Sequence, residues 1–373
     1  MRSNSKARLE RLTARHRDAV VIDGAVHRRD QILVPADQSD HAREAGAGFV
    51  ERVEPLDEIG VHRLRLRSSA RVVVPEFAAQ LREQGVRSAT PNHMLRGEPD
   101  WFGGPYGAPR SCEPVKGPVP TGTGRDVTVA VLDTGITPHP WFTGTSWWPQ
   151  VTPDQLDPIA AECDYELDAQ SSHGTFIAGV ILQKAPNTQL WIERVLDDIG
   201  VCDELELLHA LDRVQRREKA TGVRVDVVNL SLGGYAHHDN PSPMVAEALR
   251  RFGSHTVIVT AAGNNSSNRP FWPAALKDCV AVSTQAPFSD RGWWVDANAP
   301  GVDVTGPFAK RATSGELELG FAKWSGTSFA APYVAGAVAQ LSNEKDMSAR
   351  EAAEILLNTA NPDADPEFGI KIS

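Results

Sequence analysis

No run of apolar residues in this sequence is long enough to cross a membrane as a helix, and the opening, Met1 to Glu10, is charged rather than leading into a hydrophobic segment. The expectation is a cytoplasmic protein that does not engage a membrane. Basic charge is also short: 38 Lys and Arg stand against 48 Asp and Glu, a formal net charge of −10, which argues against nucleic acid as a partner. Cysteine is scarce. The four, Cys112, Cys163, Cys202 and Cys279, lie far apart without metal-ligand spacing, so free thiols are expected in a reducing compartment. Disulfides stay open only for an exported chain. Internal repeats and low-complexity tracts are absent as well. What remains is ordinary for a globular protein: 41% hydrophobic and 23% charged residues over 373 positions, room for one large domain and a smaller one.

The smaller one comes first. Residues 1–20 read as a basic, solvated helix, followed by strand-like runs at 20–26, 31–34 and 61–66. The last run, Val61-His62-Arg63-Leu64-Arg65-Leu66, alternates apolar and basic residues, one face buried and one wet. Pro75 opens a helix that Gly85 stops, and an extended segment covers 86–95. This texture assigns 1–96 to a small α+β domain. Between 97 and 124 Gly, Pro and Ser dominate around Trp101, Phe102 and Tyr106, the mark of a linker. From 125 to 361 strands and helices alternate. A continuous apolar strand at 126–132 is of the kind buried on both faces, and further strands are expected at 190–195, 225–230, 255–260 and 279–283. Helices are expected at 204–217, 243–251 and 349–357. That order predicts a doubly wound, mostly parallel α/β domain, with a tail over 362–373.

Four short stretches carry chemistry. Lys323-Trp324-Ser325-Gly326-Thr327-Ser328-Phe329-Ala330-Ala331-Pro332 reads as a glycine turn delivering Ser328 to the first turn of a small-residue helix. Unpaired amides and the helix dipole favour developing negative charge there, although such a stretch is equally a packing helix. Asp133-Thr134-Gly135 ends the first buried strand, the edge where open α/β sheets bind ligands; alone it is as well a turn. Ser172-His173-Gly174-Thr175 puts an imidazole at the start of an apolar helix, a place for a general base. Asn264 follows the strand at 255–260, where a side-chain amide can donate to an oxyanion. Each is weak alone. The order Asp133, His173, Ser328, with an amide at Asn264 between the last two, is specific.

On these residues, and on Asn229-Leu230-Ser231-Leu232-Gly233, Ala261-Ala262-Gly263-Asn264, Trp272-Pro273-Ala274 and Ala299-Pro300-Gly301, the chain resembles the subtilisin-like serine proteases over about 125–360. The resemblance implies an endopeptidase in which Ser328 is nucleophile, His173 base and then acid, Asp133 the group orienting the imidazole, and Asn264 an oxyanion donor. Ser231, Leu232 and Gly233 would form one wall of the cleft and Ala261, Ala262 and Gly263 the other, for a peptide or protein substrate bound as an added strand. The N-terminal domain resembles, by position and texture, the family's inhibitory propeptide, with residues 89–95 expected to lie in the cleft as product; it would then be an intramolecular inhibitor.

Departures from the family pattern set further expectations. The stretch 173–195 runs straight from helix to strand, with no space for the calcium loop of secreted enzymes, so no metal or cofactor is expected. EDTA should leave the melting temperature almost unmoved. Phe271 is expected to floor the pocket for the residue before the scissile bond and so select small side chains. Trp141, Trp147 and Trp148, between Asp133 and His173, are expected to pack an insertion onto the domain. Two alternatives remain: a peptide-binding module without catalysis, and an esterase.

Overall fold

The chain reverses in a hairpin at Asp23-Gly24, where both residues have positive φ, 49° and 76°. An Asp-Gly pair meets that requirement of a two-residue hairpin cheaply. It joins β1 (Ala19–Ile22) to β2 (Ala25–Pro35), so the single strand expected at 20–26 is two. The computed structural model describes residues 10, 12–70, 72–97, 107–159, 170–312, 314–358 and 364–373. Residues 1–9 and 101–106, and Cys163, lie outside the described residues. After α1 (Ser39–Ala45) come β3 (Val50–Leu56), β4 (Val61–Leu66), α2 (Val74–Glu83) and β5 (Thr90–Gly97). The strands form an antiparallel layer in the order β3-β4-β2-β5. Alternation in β4 puts Leu64 and Leu66 on one face, where α2 lays Phe77, Ala78 and Leu81 over Ile32, Val34 and Leu64, while Val61 is buried in a different cluster, with Leu33 and Ile59.

The stretch read as a linker contains β6 (Arg110–Cys112). Beyond it, β7 (Thr128–Asp133) is buried at every position, as its unbroken apolar sequence requires of a strand covered on both faces. Period-2 alternation divides its side chains between two cores. After α3 (Pro140–Thr143), the helix α4 (His173–Lys184) contributes Phe176 and Ile177 to the core containing Val129 and Val131. On the other face Ala130 and Leu132 pack with Leu207 and Leu211 of α5 (Glu204–Thr221) and with Leu249 of α6 (Pro243–Arg250). The remaining helices, α7 (Thr327–Lys345) and α8 (Ala349–Leu356), join the first core through Val334, Val338 and Ala352. Ser348 and Glu351 close a reciprocal cap at the start of α8.

The strands completing this unit are β8 (Gln189–Arg194), β9 (Val201–Asp203), β10 (Val227–Leu230), β11 (Leu232–Gly233), β12 (Val257–Ala261), β13 (Cys279–Ser283), β14 (Ala297–Asn298), β15 (Val304–Arg311), β16 (Leu317–Trp324) and β17 (Ile370–Lys371). Six of them join β7 in a seven-stranded sheet in the order β17-β14-β13-β12-β10-β7-β8, all pairs parallel. This is the doubly wound α/β arrangement, with the smaller α+β layer before it. The edge strand β17 comes from the stretch read as a tail. β15 and β16 form an antiparallel hairpin with β6 on its side, and β16 runs directly into the turn that starts α7.

β5 extends past its own layer. Its end lies between β9 and β11, with Met94 opposite Asp203, Leu95 opposite Cys202, and Arg96 opposite both Val201 and Gly233. Gly97 stands opposite Leu232 and donates its N–H to the Gly200 carbonyl at 2.8 Å. Residues 94–97 are thus a strand laid across the second unit.

Three buried histidines meet at the same seam. His237 Nε2 and His27 Nδ1 are 3.0 Å apart, and His93 Nδ1 is 2.8 Å from Glu204 Oε1. Burial, and after it the nearby His93, holds His27 down to about 4 and His237 to about 3, against an ordinary 6.5. His238 and Arg269 also press on His237. A lowered histidine pKa contributes stability that is whole above the ordinary value and is lost as pH falls from there toward the folded value. Asp157 and Glu206, both raised chiefly by burial, work in the opposite sense, gaining stability as pH falls through neutrality. A raw acid melt therefore sums opposing contributions, but a comparison isolates the histidine. His237→Asn is expected to melt below the wild type at pH 7.5, with the deficit narrowing at pH 5. Melting curves at both pH values check this; a deficit independent of pH would contradict it.

Candidate active site

The expected site residues are gathered at the C-terminal ends of three neighbouring parallel strands, where an open α/β sheet offers its crevice. Asp133 is the last residue of β7, Ser231 follows β10, and Asn264 lies just beyond β12. His173 is the first residue of α4 and Ser328 the second of α7. The start of α4 is brought to the end of β7 by Gly174: a Cβ there would strike the Gly135 carbonyl oxygen and come within 3.2 Å of Asp133 Cβ. Glycine is what lets the helix begin against the strand.

Asp133 Oδ1 lies 2.8 Å from His173 Nδ1 and also accepts the Thr134 N–H at 2.8 Å; the two side chains are 1% and 0% exposed. A carboxylate only accepts, so in the neutral ring the proton sits on Nδ1 and Nε2 is the acceptor. Nε2 is buried and has no hydrogen-bond partner among the described residues. The ring is held by Trp324 at 5.6 Å and Phe329 at 5.5 Å between centroids.

Ser328 is fully buried. Its Oγ donates to the Ser231 carbonyl at 3.2 Å, while Ser231 Oγ donates back to the Ser328 carbonyl at 2.9 Å. Serine and histidine are therefore not hydrogen-bonded to each other here. Asn264 Oδ1 accepts the Thr327 N–H at 2.8 Å, and Thr327 Oγ1 accepts the Gly263 N–H at 3.1 Å, which locks the amide beside the start of α7. With its oxygen so engaged, the amide's donor end is the other one.

Leu232 and Gly233, as β11, hold β5 on one side of the cleft. Ala261 ends β12, and Ala262 and Gly263 lead on to Asn264. Phe271 is fully buried between the two stretches: its ring occupies the place of a Cβ on Gly233 and comes within 3.1 Å of the Cβ position of Gly263. Of the tryptophans, Trp147 is buried in the core of α4 and α7, with Trp141 and Trp148 packed against it.

Sequence reasoning missed Asp157. Its half-buried carboxylate takes Thr134 Oγ1–H at 2.6 Å and the Ser172 N–H at 2.9 Å, while Thr134 Oγ1 accepts the Gly174 N–H at 3.1 Å. The residue thus ties the strand end carrying Asp133 to the helix start carrying His173. Burial raises its pKa to about 7, and the neighbouring Asp133 charge pushes the same way. No motif marks it.

A doubly wound α/β sheet with an acid, an imidazole and an alcohol at one end defines a class of candidate hydrolases. Within it, the chain belongs to the Subtilase family (Peptidase S8), whose sequence profile matches residues 124–370. The "Thermophilic serine proteinase" of Bacillus sp. (strain AK1) is 32% identical over 209 residues, covering 51% of this chain and 48% of that one. "Subtilisin Savinase" of Lederbergia lenta is 32% identical over 236 residues, 58% of this chain and 76% of that one. The chain spans about half the length of several such relatives, 38% for "Minor extracellular protease Epr" of Bacillus subtilis (strain 168), which is 29% identical over 66% of this chain. Among solved structures, fervidolysin from Fervidobacterium pennivorans, described as a keratinolytic enzyme related to subtilisin, superposes with a TM-score of 0.63 at 20% identity over 95% of this chain and 61% of that one. A mutant of the protease domain of PatA gives 0.53 at 23% identity, over 68% and 95%. These two speak for the fold.

Proposed function

We propose that the chain is a serine endopeptidase whose N-terminal unit occupies its own substrate cleft. The observation that carries the reading is His173 Nε2. A buried imidazole nitrogen without a partner forfeits about 1–3 kcal/mol, a cost that makes sense for a base awaiting a proton. Rotation of Ser328 about its Cα–Cβ bond would exchange the Ser231 carbonyl for that nitrogen. Attack on the scissile carbonyl then passes the hydroxyl proton to Nε2, and Asp133 steadies the imidazolium through Nδ1. The Asn264 amide and the Ser328 N–H receive the oxyanion; the leaving amine takes its proton from His173, and water releases the acyl group by the same steps in reverse.

Residues 94–97 lie between β9 and β11 as an added strand, the manner in which an extended peptide binds a sheet edge. That placement supports both a peptide substrate and inhibition by the chain's own N-terminal unit. Phe271 supports a shallow pocket before the scissile bond; a library of peptides varied at that residue should favour Ala over Phe or Leu, and the opposite order would refute it.

One observation favours a second reading, a peptide-binding module without catalysis: Ser328 Oγ bonds to Ser231 rather than to His173. A fluorophosphonate probe separates the two. Covalent labelling at Ser328 together with cleavage of peptides in preference to simple esters supports the peptidase; a protein that binds peptides yet neither labels nor cleaves is the module.

A further inference from the structure

We propose that Gln170 and Leu196 form a gate admitting only glycine at the cleft position now filled by Gly97, so that substrates of this chain carry glycine there. For the word substrate the proposal rests on the peptidase reading above; the gate itself is a matter of packing. Strand alternation puts Leu95 and Gly97 on one side of β5. Leu95 is buried in a cluster with Cys202, Leu205, Leu230 and Leu232. Two residues on, that side has no room. A Cβ on Gly97 would lie 2.8 Å from Gln170 Oε1 and 2.9 Å from Leu196 Cδ1.

Terminal atoms of flexible side chains ordinarily step aside. Here both are confined. Leu196 is 2% exposed and Gln170 3%. Behind Gln170 stands Gly200, where the Cβ, Cγ and Cδ of Gln170 already fill the space a side chain would need, at 2.8 Å for Cβ and Cδ and closer for Cγ. With φ at +74°, Gly200 is also in the left-handed region that disfavours any replacement. One glutamine is thus wedged between two glycines from different elements. Its backbone is fixed too, since the Gln170 carbonyl accepts the His173 N–H at 3.0 Å.

The amide of Gln170 adds a second observation. Both Oε1 and Nε2 are buried and have no hydrogen-bond partner among the described residues. Buried amides are normally satisfied. A side chain that leaves its amide unpaired against the bound strand adds little to the stability of that union, which is the signature of a steric filter rather than of a docking contact. The residues fit one substrate chemistry: an extended peptide with an apolar side chain where Leu95 lies and glycine two positions later.

The test has one arm that needs catalysis and one that does not. In a Ser328→Ala background, which keeps the chain intact, thermal midpoints are measured for Gly97→Ala, Gln170→Ala and the pair. Gly97→Ala should lower the midpoint and Gln170→Ala should restore most of it; strictly additive changes would overturn the gate. Leu196→Ala serves as the opening variant if Gln170→Ala fails to fold. In the second arm, active protein is given two peptides containing Met-Leu-Arg-Gly or Met-Leu-Arg-Ala before the scissile position region. An extra carbon in a closed pocket is worth about 10- to 200-fold in kcat/KM, and that preference for glycine should shrink toward parity in the opened variant. Equal kcat/KM in the wild type would overturn the proposal. Coupled midpoints with no cleavage of any peptide would uphold the gate and bring down the peptidase reading instead.

Discussion

Ser328→Ala is expected to remove peptide hydrolysis while leaving the fold in place. Taking the nucleophile from a serine protease of this family costs on the order of a millionfold in kcat, because His173 then has no hydroxyl to deprotonate. The structural cost is small by comparison. The Oγ of Ser328 makes one 3.2 Å bond to the Ser231 carbonyl, and the return bond from Ser231 Oγ goes to the Ser328 backbone carbonyl, which alanine retains. One neutral hydrogen bond contributes about 0.5–1.5 kcal/mol, so the melting temperature should fall by only a few degrees. A casein-type substrate and a melting curve read the two halves of the expectation. Full cleavage by the variant would end the assignment of Ser328. Intact mass adds the question of processing: if the chain cleaves itself, wild type is shorter than the variant, and identical masses would exclude self-processing while leaving the cleft occupied by residues 94–97.

Much of the second unit could be read from sequence because local and global preferences agree there. The apolar run ending at Asp133 has no polar face and must be covered on both sides, and the residues of β7 divide between two cores in turn. Gly174 beside His173 sits where a Cβ would strike the Gly135 carbonyl oxygen, a close approach that nothing in periodicity signals. The elements missed lack such agreement. β3, Val50 to Leu56, buries a single residue fully and carries charge along its length, so it shows no alternation. β15 contains Gly306 and Pro307 and reads as a loop; it is a strand because β16 pairs with all of it. The Asp23-Gly24 reversal was a hairpin signal hidden inside an apolar run. At the site, motifs pointed to Asp133, His173, Asn264 and Ser328, but that Ser328 Oγ donates to the Ser231 carbonyl is a side-chain arrangement that no motif encodes. Asp157 lies beyond sequence logic for a different reason. Its hydrogen bonds tie a strand end to a helix start that meet only in the folded chain.

Asn264 offers the sharpest separation of chemistry from architecture, since the proposed mechanism gives its two ends different tasks. Oδ1 accepts the Thr327 N–H at 2.8 Å inside the fold, and the NH2 end is assigned to the oxyanion. Asn264→Ala removes both. Loss of one oxyanion donor typically costs about a hundred- to a thousandfold in kcat, and the orphaned Thr327 amide adds about 1–3 kcal/mol of instability. Asn264→Asp keeps an oxygen for Thr327 and replaces only the donor, presenting negative charge where negative charge must develop. The aspartate variant should therefore melt close to wild type while losing at least as much kcat as alanine, with KM little changed in both, because the donor acts in the transition state rather than in substrate binding. Steady-state kinetics beside melting curves for the two variants resolves the two tasks. Wild-type turnover by Asn264→Asp near neutral pH would show that the amide donates nothing, and the oxyanion would then have to be held by the backbone at the start of α7 alone.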